Sequence, residues 1–126
     1  MSPLLDNFRQ HFKDKTYFEV MLQQGKIEIA PLSFIRGRTF NNSFLIVDEA
    51  QNATIHELKT IITRIGENSK VVLMGDTDQI DTPYIDKKSN GLAIVIDRMK
   101  TSKLCAHVHL SRGERSELAT YASKVL

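Results

Sequence analysis

Two short apolar segments in the middle of the chain each stop abruptly at a polar, acidic sequence. They run from Phe44 to Val47 and from Val71 to Met74. Neither segment alternates between apolar and polar positions, which is typical of strands that helices cover on both faces of a parallel sheet. The pattern therefore predicts two buried strands, each with carboxylates at its end.

The segment between these strands has the pattern of an amphipathic helix. Thr54 and Glu57 fit a capping box, in which each side chain satisfies a free backbone N–H at the start of the helix. Apolar residues then recur on one helical face, and Gly66 closes the helix. The apolar positions are Ile55, Leu58, Ile61, Ile62 and Ile65. A strand–helix–strand unit is the predicted result.

The residues upstream of this unit predict a helix that starts at Pro3, a second short helix and then a strand. Thr16 and Glu19 fit a second capping box, and Gly25 would end the helix. Lys26 to Ala30 alternates between polar and apolar residues and is followed by Pro31, which favours a strand near the edge of a sheet.

The downstream residues predict a helix, a strand and a final helix. Asn90 and Gly91 open the first helix, and residues 106–110 alternate as a strand would. Ser111 with Glu114 forms a third capping box for the last helix. This alternation predicts one α/β domain over residues 1–126, with three layers and a mainly parallel sheet.

Composition narrows the class of protein but not its activity. The chain has 126 residues and a formal net charge of +2, which is too small by itself to indicate nucleic-acid binding. A single cysteine allows no internal disulfide, and no apolar run is long enough to cross a bilayer. These features predict a soluble, cytoplasmic protein.

The two strand ends have the composition of a phosphate-transfer site. Ligands of parallel sheets bind at the carboxyl ends of the strands. Four apolar residues followed by Asp48 and Glu49 have the form of a Walker B segment, in which the aspartate holds Mg²⁺ through water and the glutamate polarises the attacking water. At the second strand end, Gly75 would allow a tight turn and Gln79 could sense a γ-phosphate.

Simpler interpretations of these residues stay open at this point. The Asp48 and Glu49 carboxylates could merely cap the following helix. The second strand end could be a polar turn, or Asp76, Asp78 and Asp81 could hold a divalent cation.

The segments "DEAQ" and "GDTDQ" resemble motifs II and III of RecA-like superfamily-one helicases. The wider sequence from Ile27 to Asp81 closely resembles the PhoH family of predicted ATPases associated with phosphate starvation, and the similarity extends from Pro3 to Leu126. The segments "SNGLAIVIDRM" and "GERSELATYASKVL" resemble the subgroup in which a PIN ribonuclease domain precedes the PhoH domain.

The resemblance implies roles for particular residues. Glu49 would be the catalytic base, Asp48 the ligand of Mg²⁺ through water, Asp76 a support of the metal shell and Gln79 the phosphate sensor. Gln51, Gly75 and Asp76 would belong to the nucleotide site. ATP and Mg²⁺ are the implied cofactors, and RNA is an implied partner.

Four arginines match arginines of the family: Arg36, Arg38, Arg112 and Arg115. By this resemblance the first two would bind nucleotide and the last two would act in catalysis, and at least one of the four would be an arginine finger that completes a neighbouring subunit's site. Arginine suits phosphate because its planar guanidinium binds phosphate oxygens bidentately and keeps its charge. The alternative for any one of them is a solvated side chain or a salt bridge, for instance with Glu114 or Glu117.

The chain lacks the P-loop, G-x-x-x-x-G-K-[ST], that normally binds the phosphates in such a site. Gly25 and Lys26 are followed by Ile27 rather than by serine or threonine. The sequence is therefore interpreted as the carboxyl-terminal portion of a RecA-like P-loop core truncated before the Walker B strand. This interpretation argues against ATP binding and predicts negligible ATPase activity for the chain alone. An apolar surface left uncovered would favour a homo-oligomer.

Two other functions are compatible with the sequence. A metal-dependent phosphoesterase or nuclease could use Asp48, Glu49, Asp76 and Asp81 without a P-loop. A non-catalytic remnant would only fold and oligomerise.

Overall fold

The structure is a computed structural model that describes residues 6–7, 10, 15–32, 35, 37–76, 90–110 and 115–126. Its two strands pair in parallel, with Phe44 opposite Lys70 and Val47 opposite Leu73. The elements are α1 (Lys15–Gln23), β1 (Phe44–Val47), a 3₁₀ helix (Ala50–Asn52), α2 (Ile55–Ile62), β2 (Lys70–Leu73), α3 (Gly91–Met99) and α4 (Glu117–Val125). The predicted α/β class and the strand–helix–strand unit are confirmed.

The capping box of α2 forms as the sequence predicts. The backbone N–H of Glu57 donates to Oγ1 of Thr54 at 3.1 Å, and the backbone N–H of Thr54 donates to Oε1 of Glu57 at 3.2 Å. Leu58 and Ile61 of this helix are buried against the sheet. The helix thus begins where local capping and the apolar stripe both place it.

The core lies on one face of the sheet, between the strands and helices α2 and α3. Side chains alternate between the faces of a strand, so every second residue points into this core. The strand positions that pack there are Leu45, Val47, Val71 and Leu73, and the helical positions are Leu58, Ile61, Leu92, Val95 and Ile96.

The opposite face of the sheet carries apolar side chains that remain exposed. Phe44 is 65% exposed, Val72 is 37% exposed and Met74 is 39% exposed. The described residues therefore leave this face of the sheet partly exposed, and the expected third layer is not confirmed.

Helix α3 is placed by its first two residues. The side chain of Asn90 is fully buried and accepts the backbone N–H of Ala93 at 2.8 Å, which caps the helix. The backbone N–H of Gly91 donates to the carbonyl of Ala53 at 3.2 Å, so the start of α3 lies directly against the start of α2. The predicted Asn90-Gly91 helix start is confirmed.

The two peripheral strands predicted from alternation, at residues 26–30 and 106–110, do not form, so these predictions are wrong. Residues 27–30 and 105–110 have no regular secondary structure, and Ile29, Val108 and Leu110 are exposed. An alternating segment becomes a strand only when a neighbouring strand supplies hydrogen-bond partners, and the described sheet contains only β1 and β2.

The predicted start of α1 is also wrong, and α4 begins later along the chain than the sequence predicts. Thr16 lies inside α1, which already includes Lys15, so it does not cap that helix. Helix α4 begins at Glu117, and its cap is Ser116, which accepts the N–H of Ala119 at 3.2 Å. The capping box predicted at positions 111 and 114 lies outside the described residues.

No helix in the described part of the chain is long and apolar enough to cross a membrane.

Candidate functional site

Asp48 and Glu49 directly follow the carboxyl end of β1. Asp48 is half-buried and Glu49 is exposed. The backbone N–H of Glu49 donates to Oδ1 of Asp48 at 2.9 Å, and Glu49 itself adopts a left-handed conformation with φ of 54°. Such a conformation is uncommon for a residue with a side chain, and it turns the backbone sharply into the 3₁₀ helix.

Backbone hydrogen bonds hold the ends of the two strands together. The N–H of Met74 donates to the carbonyl of Val47 at 2.8 Å, and the N–H of Ala50 donates to the carbonyl of Met74 at 2.8 Å. Asp48 and Glu49 lie between these two bonds and project from the end of the strand pair. The acidic ends that the sequence predicts at one edge of the sheet are therefore adjacent in space.

Gln51 joins the same two strand ends through its side chain, although it is only 1% exposed. Its Nε2 donates to Oε2 of Glu49 at 2.7 Å. Its Oε1 accepts the backbone N–H of Asp76 at 3.1 Å. Sequence reasoning assigned Gln51 to the nucleotide site, and nothing in the spacing of the residues indicated that its amide is buried between the strand ends.

Gly75 makes room for this glutamine. A Cβ at position 75 would lie 2.5 Å from Oε1 of Gln51 and 2.8 Å from Cδ2 of Leu92. The φ of Gly75 lies outside the left-handed region, so the tight turn expected from the sequence is not the reason for a glycine here. The requirement is space between the end of β2 and the Gln51 side chain.

The oxygen-rich strand end is compatible with a hydrated Mg²⁺. This ion keeps several waters and is commonly held by one or two carboxylates together with phosphates. Asp48 presents a carboxylate in a half-buried position and Glu49 lies beside it. Within the described residues, no group of three or more histidine, cysteine, aspartate or glutamate side chains could hold a metal by itself.

Arg38 is paired with an acidic residue that sequence reasoning missed. Its guanidinium binds both oxygens of Glu28, at 2.7 Å and 2.9 Å, and lies 4.9 Å from the ring centre of Phe40. The hydrogen bonds from Arg38, and secondarily its charge, hold the pKa of Glu28 below its ordinary value. The same pair raises the pKa of Arg38. No sequence signal links these positions, because residues 27–30 form no regular element.

The other expected site residues are distributed as follows. Arg115 is exposed and lies directly before Ser116, the cap of α4. Arg36, Gln79, Asp81 and Arg112 lie outside the described residues, so their predicted roles remain predictions.

Parallel strands with hydrogen-bonded acidic ends and helices packed on the sheet define a small α/β protein consistent with a P-loop-like domain. The family model described as "PhoH-like protein" matches residues 1–125 of this chain. The chain belongs to the PhoH family, as its motifs indicated.

Several proteins are similar to this chain over most of its length. Protein PhoH2 of Bacillus subtilis is 46% identical over 129 residues, which cover 100% of this chain and 29% of that protein. Protein PhoH2 of Mycolicibacterium smegmatis is 42% identical over 84% of this chain and 24% of its own length. The PhoH-like protein of Synechocystis is 38% identical over 90% of this chain and 34% of its own length. The chain thus spans about a third or less of the length of these relatives.

Proposed function

We propose that this chain supplies the carboxylate half of an ATP-hydrolysing site. The observation that carries the proposal is the joined pair of strand ends, in which Asp48 and Glu49 project between the two backbone hydrogen bonds of Met74. Parallel sheets bind ligands at this end, and phosphoryl transfer needs a metal carboxylate and a second group that orients the attacking water.

In this proposal each residue has a distinct task. Asp48 holds the water shell of Mg²⁺, and this ion, when bound, neutralises charge on the phosphates. Glu49 orients and deprotonates the attacking water, and its exposed position leaves it accessible to substrate. Asp76, whose backbone is tied to Gln51, supports the metal shell from the next strand.

The phosphate-binding half of the site has to come from groups other than these carboxylates. Since the sequence lacks a P-loop, the chain alone is expected to bind Mg²⁺ weakly and to hydrolyse ATP negligibly. A link to RNA is part of the same proposal and rests on the helicase-like motifs.

The first test locates the metal site in the isotopically labelled chain. Mn²⁺, a paramagnetic substitute for Mg²⁺, should broaden the amide signals of residues 47–50 and 74–76. Asp48→Asn should lower the metal affinity by about tenfold, so that the same broadening requires about ten times more Mn²⁺. Asp97→Asn removes an exposed carboxylate on α3 and serves as the matched control. Broadening that ignores Asp48→Asn would contradict the assignment.

The second test concerns turnover by the isolated chain. Mg²⁺-ATP is titrated by calorimetry into the wild type and into Glu49→Gln, and phosphate release is measured in parallel. No release above background is expected from either protein. Robust release that Glu49→Gln abolishes would show that the chain is competent alone and would overturn that part of the proposal.

The phosphoesterase alternative receives less support from the structure. A metal-dependent nuclease needs several carboxylates around its ions. Among the described residues no three metal-binding side chains form such a group, and Asp81 lies outside them. We therefore retain the ATPase half-site as the proposed function.

A further inference from the structure

Gln51 is the buried polar side chain that links the proposed catalytic glutamate to the neighbouring strand. Buried polar groups in folded proteins are almost always hydrogen-bonded, and an unsatisfied one is costly. Here the amide nitrogen bonds a carboxylate at the end of β1, and the amide oxygen bonds a backbone N–H beyond β2.

The chemistry of its partners fixes the orientation of the Gln51 amide. Oε2 of Glu49 is an acceptor when the carboxylate is ionised, and the backbone N–H of Asp76 is only a donor. Exchanging the amide nitrogen and oxygen would place two acceptors together and two donors together. The amide therefore presents its N–H to Glu49 in one direction only.

The end of β2 is shaped to receive this side chain. Gly75 provides space that any Cβ would take from Oε1 of Gln51. Three separate features therefore meet at the Gln51 amide. They are its burial, its hydrogen bonds to Glu49 and Asp76, and the glycine at position 75 opposite it.

From this arrangement we infer that Gln51 is a positioning residue for Glu49 and not a direct ligand of the nucleotide. It holds one carboxylate oxygen, Oε2, so that the carboxylate has a fixed direction. It also couples that carboxylate to the backbone at Asp76, so that a change at one strand end is transmitted to the other. This inference rests on the proposed role of Glu49 as general base.

The test is a double-substitution cycle read by the backbone amide signal of Asp76 in the ¹⁵N-labelled chain. Glu49→Gln changes the partner of the Gln51 amide, and we expect it to shift the Asp76 signal in the wild-type background. In the Gln51→Met background, which keeps the side-chain length but removes the amide, the same substitution should leave Asp76 unshifted. A side chain that merely filled space would give no such dependence.

Hydrogen exchange gives a second measurement. The Nε2 protons of Gln51 should exchange at least about tenfold more slowly than those of Gln23, an exposed glutamine on α1, and Glu49→Ala should remove part of this protection.

If Gln51→Met fails to fold, Gln51→Asn replaces it in the double-substitution cycle, because its amide is one methylene too short to reach both partners.

An Asp76 signal that responds equally to Glu49→Gln in both backgrounds would overturn the inference. So would Gln51 protons that exchange as fast as those of Gln23. These measurements contain neither metal nor nucleotide, so their outcome is independent of ATP chemistry. Mn²⁺ broadening that is absent at residues 47–50, or that is unchanged in Asp48→Asn, would in contrast overturn the proposed function and leave the coupling intact.

Discussion

Arg38, one of the residues predicted to bind nucleotide, forms a bidentate ion pair with Glu28. A bidentate guanidinium–carboxylate pair occupies the same fork that would bind a phosphate. Both side chains are exposed, at 42% and 57%, so the pair is screened by solvent and contributes little to stability. Binding of a nucleotide phosphate by Arg38 would therefore compete with Glu28 rather than fill an empty position.

The pH dependence of this pair is our prediction at the residue scale. Because the folded-state pKa of Glu28 is lowered by the hydrogen bonds from Arg38, the small stabilisation is present above the unfolded-state pKa and is lost as pH falls through the lowered folded value. Side-chain carboxyl NMR titration should find the low pKa in the wild type and an ordinary value in Arg38→Gln. A low value that persists in Arg38→Gln would show that another group is responsible.

The same titration reports on phosphate binding. If Arg38 binds ATP, saturating Mg²⁺-ATP should move the pKa of Glu28 back toward its ordinary value, because the guanidinium is withdrawn. Glu67 is an exposed glutamate outside this pair and serves as the internal control.

The acidic strand ends were predictable from sequence because they follow from local pattern. A continuous apolar run identified β1 with its exact bounds, Phe44–Val47, and a capping box identified the start of α2 at Thr54. Asp48 and Glu49 directly follow this strand and therefore lie at its carboxyl end. Ligands of parallel sheets bind at that end, so the two carboxylates became site candidates.

What sequence could not supply were features that depend on distant contacts. Whether residues 26–30 form a strand depends on a pairing partner, and the alternating pattern carries no information about that partner. The Glu28–Arg38 pair and the link from Gln51 to Asp76 also join residues that no local pattern relates. The reason for glycine at position 75 became evident only with the Gln51 side chain in place.

At the scale of elements, the contact between α2 and α3 depends on Gly91. A Cβ at this position would lie 2.6 Å from the carbonyl carbon of Thr54 and 2.7 Å from the backbone nitrogen of Ile55. These are backbone atoms that cannot rotate away. Alanine normally favours a helix over glycine by about 1 kcal/mol, but here packing should dominate.

We expect Gly91→Ala to lower the free energy of unfolding by about 1–3 kcal/mol, measured by chemical denaturation. Ala93→Gly in the same helix is the matched comparison, and it should cost about 0.5–1 kcal/mol through helix propensity, with any loss of packing added. A stabilised Gly91→Ala protein would show that α3 does not approach α2 as closely as the structure indicates.

At the scale of the whole molecule, the described residues bury one face of the sheet and leave the other partly exposed. Phe44, Val72 and Met74 form this apolar face, and α4 presents a second apolar stripe through Leu118, Tyr121 and Val125, which are all more than half exposed. Large exposed apolar patches on a folded chain usually mark an interaction surface.

For the chain by itself, the available cover is a second copy, and we expect a dimer or higher oligomer at micromolar concentration by light scattering. Phe44→Thr keeps a residue that favours strands and removes the largest exposed ring, so it should weaken association by about tenfold. Leu104→Thr is the control, since Leu104 is 95% exposed and lies in the turn that follows α3. A monodisperse wild-type monomer would contradict the prediction. An oligomer that survives Phe44→Thr but is lost in Leu118→Lys would instead place the interface on α4, because a charge there interrupts the apolar stripe without touching the sheet.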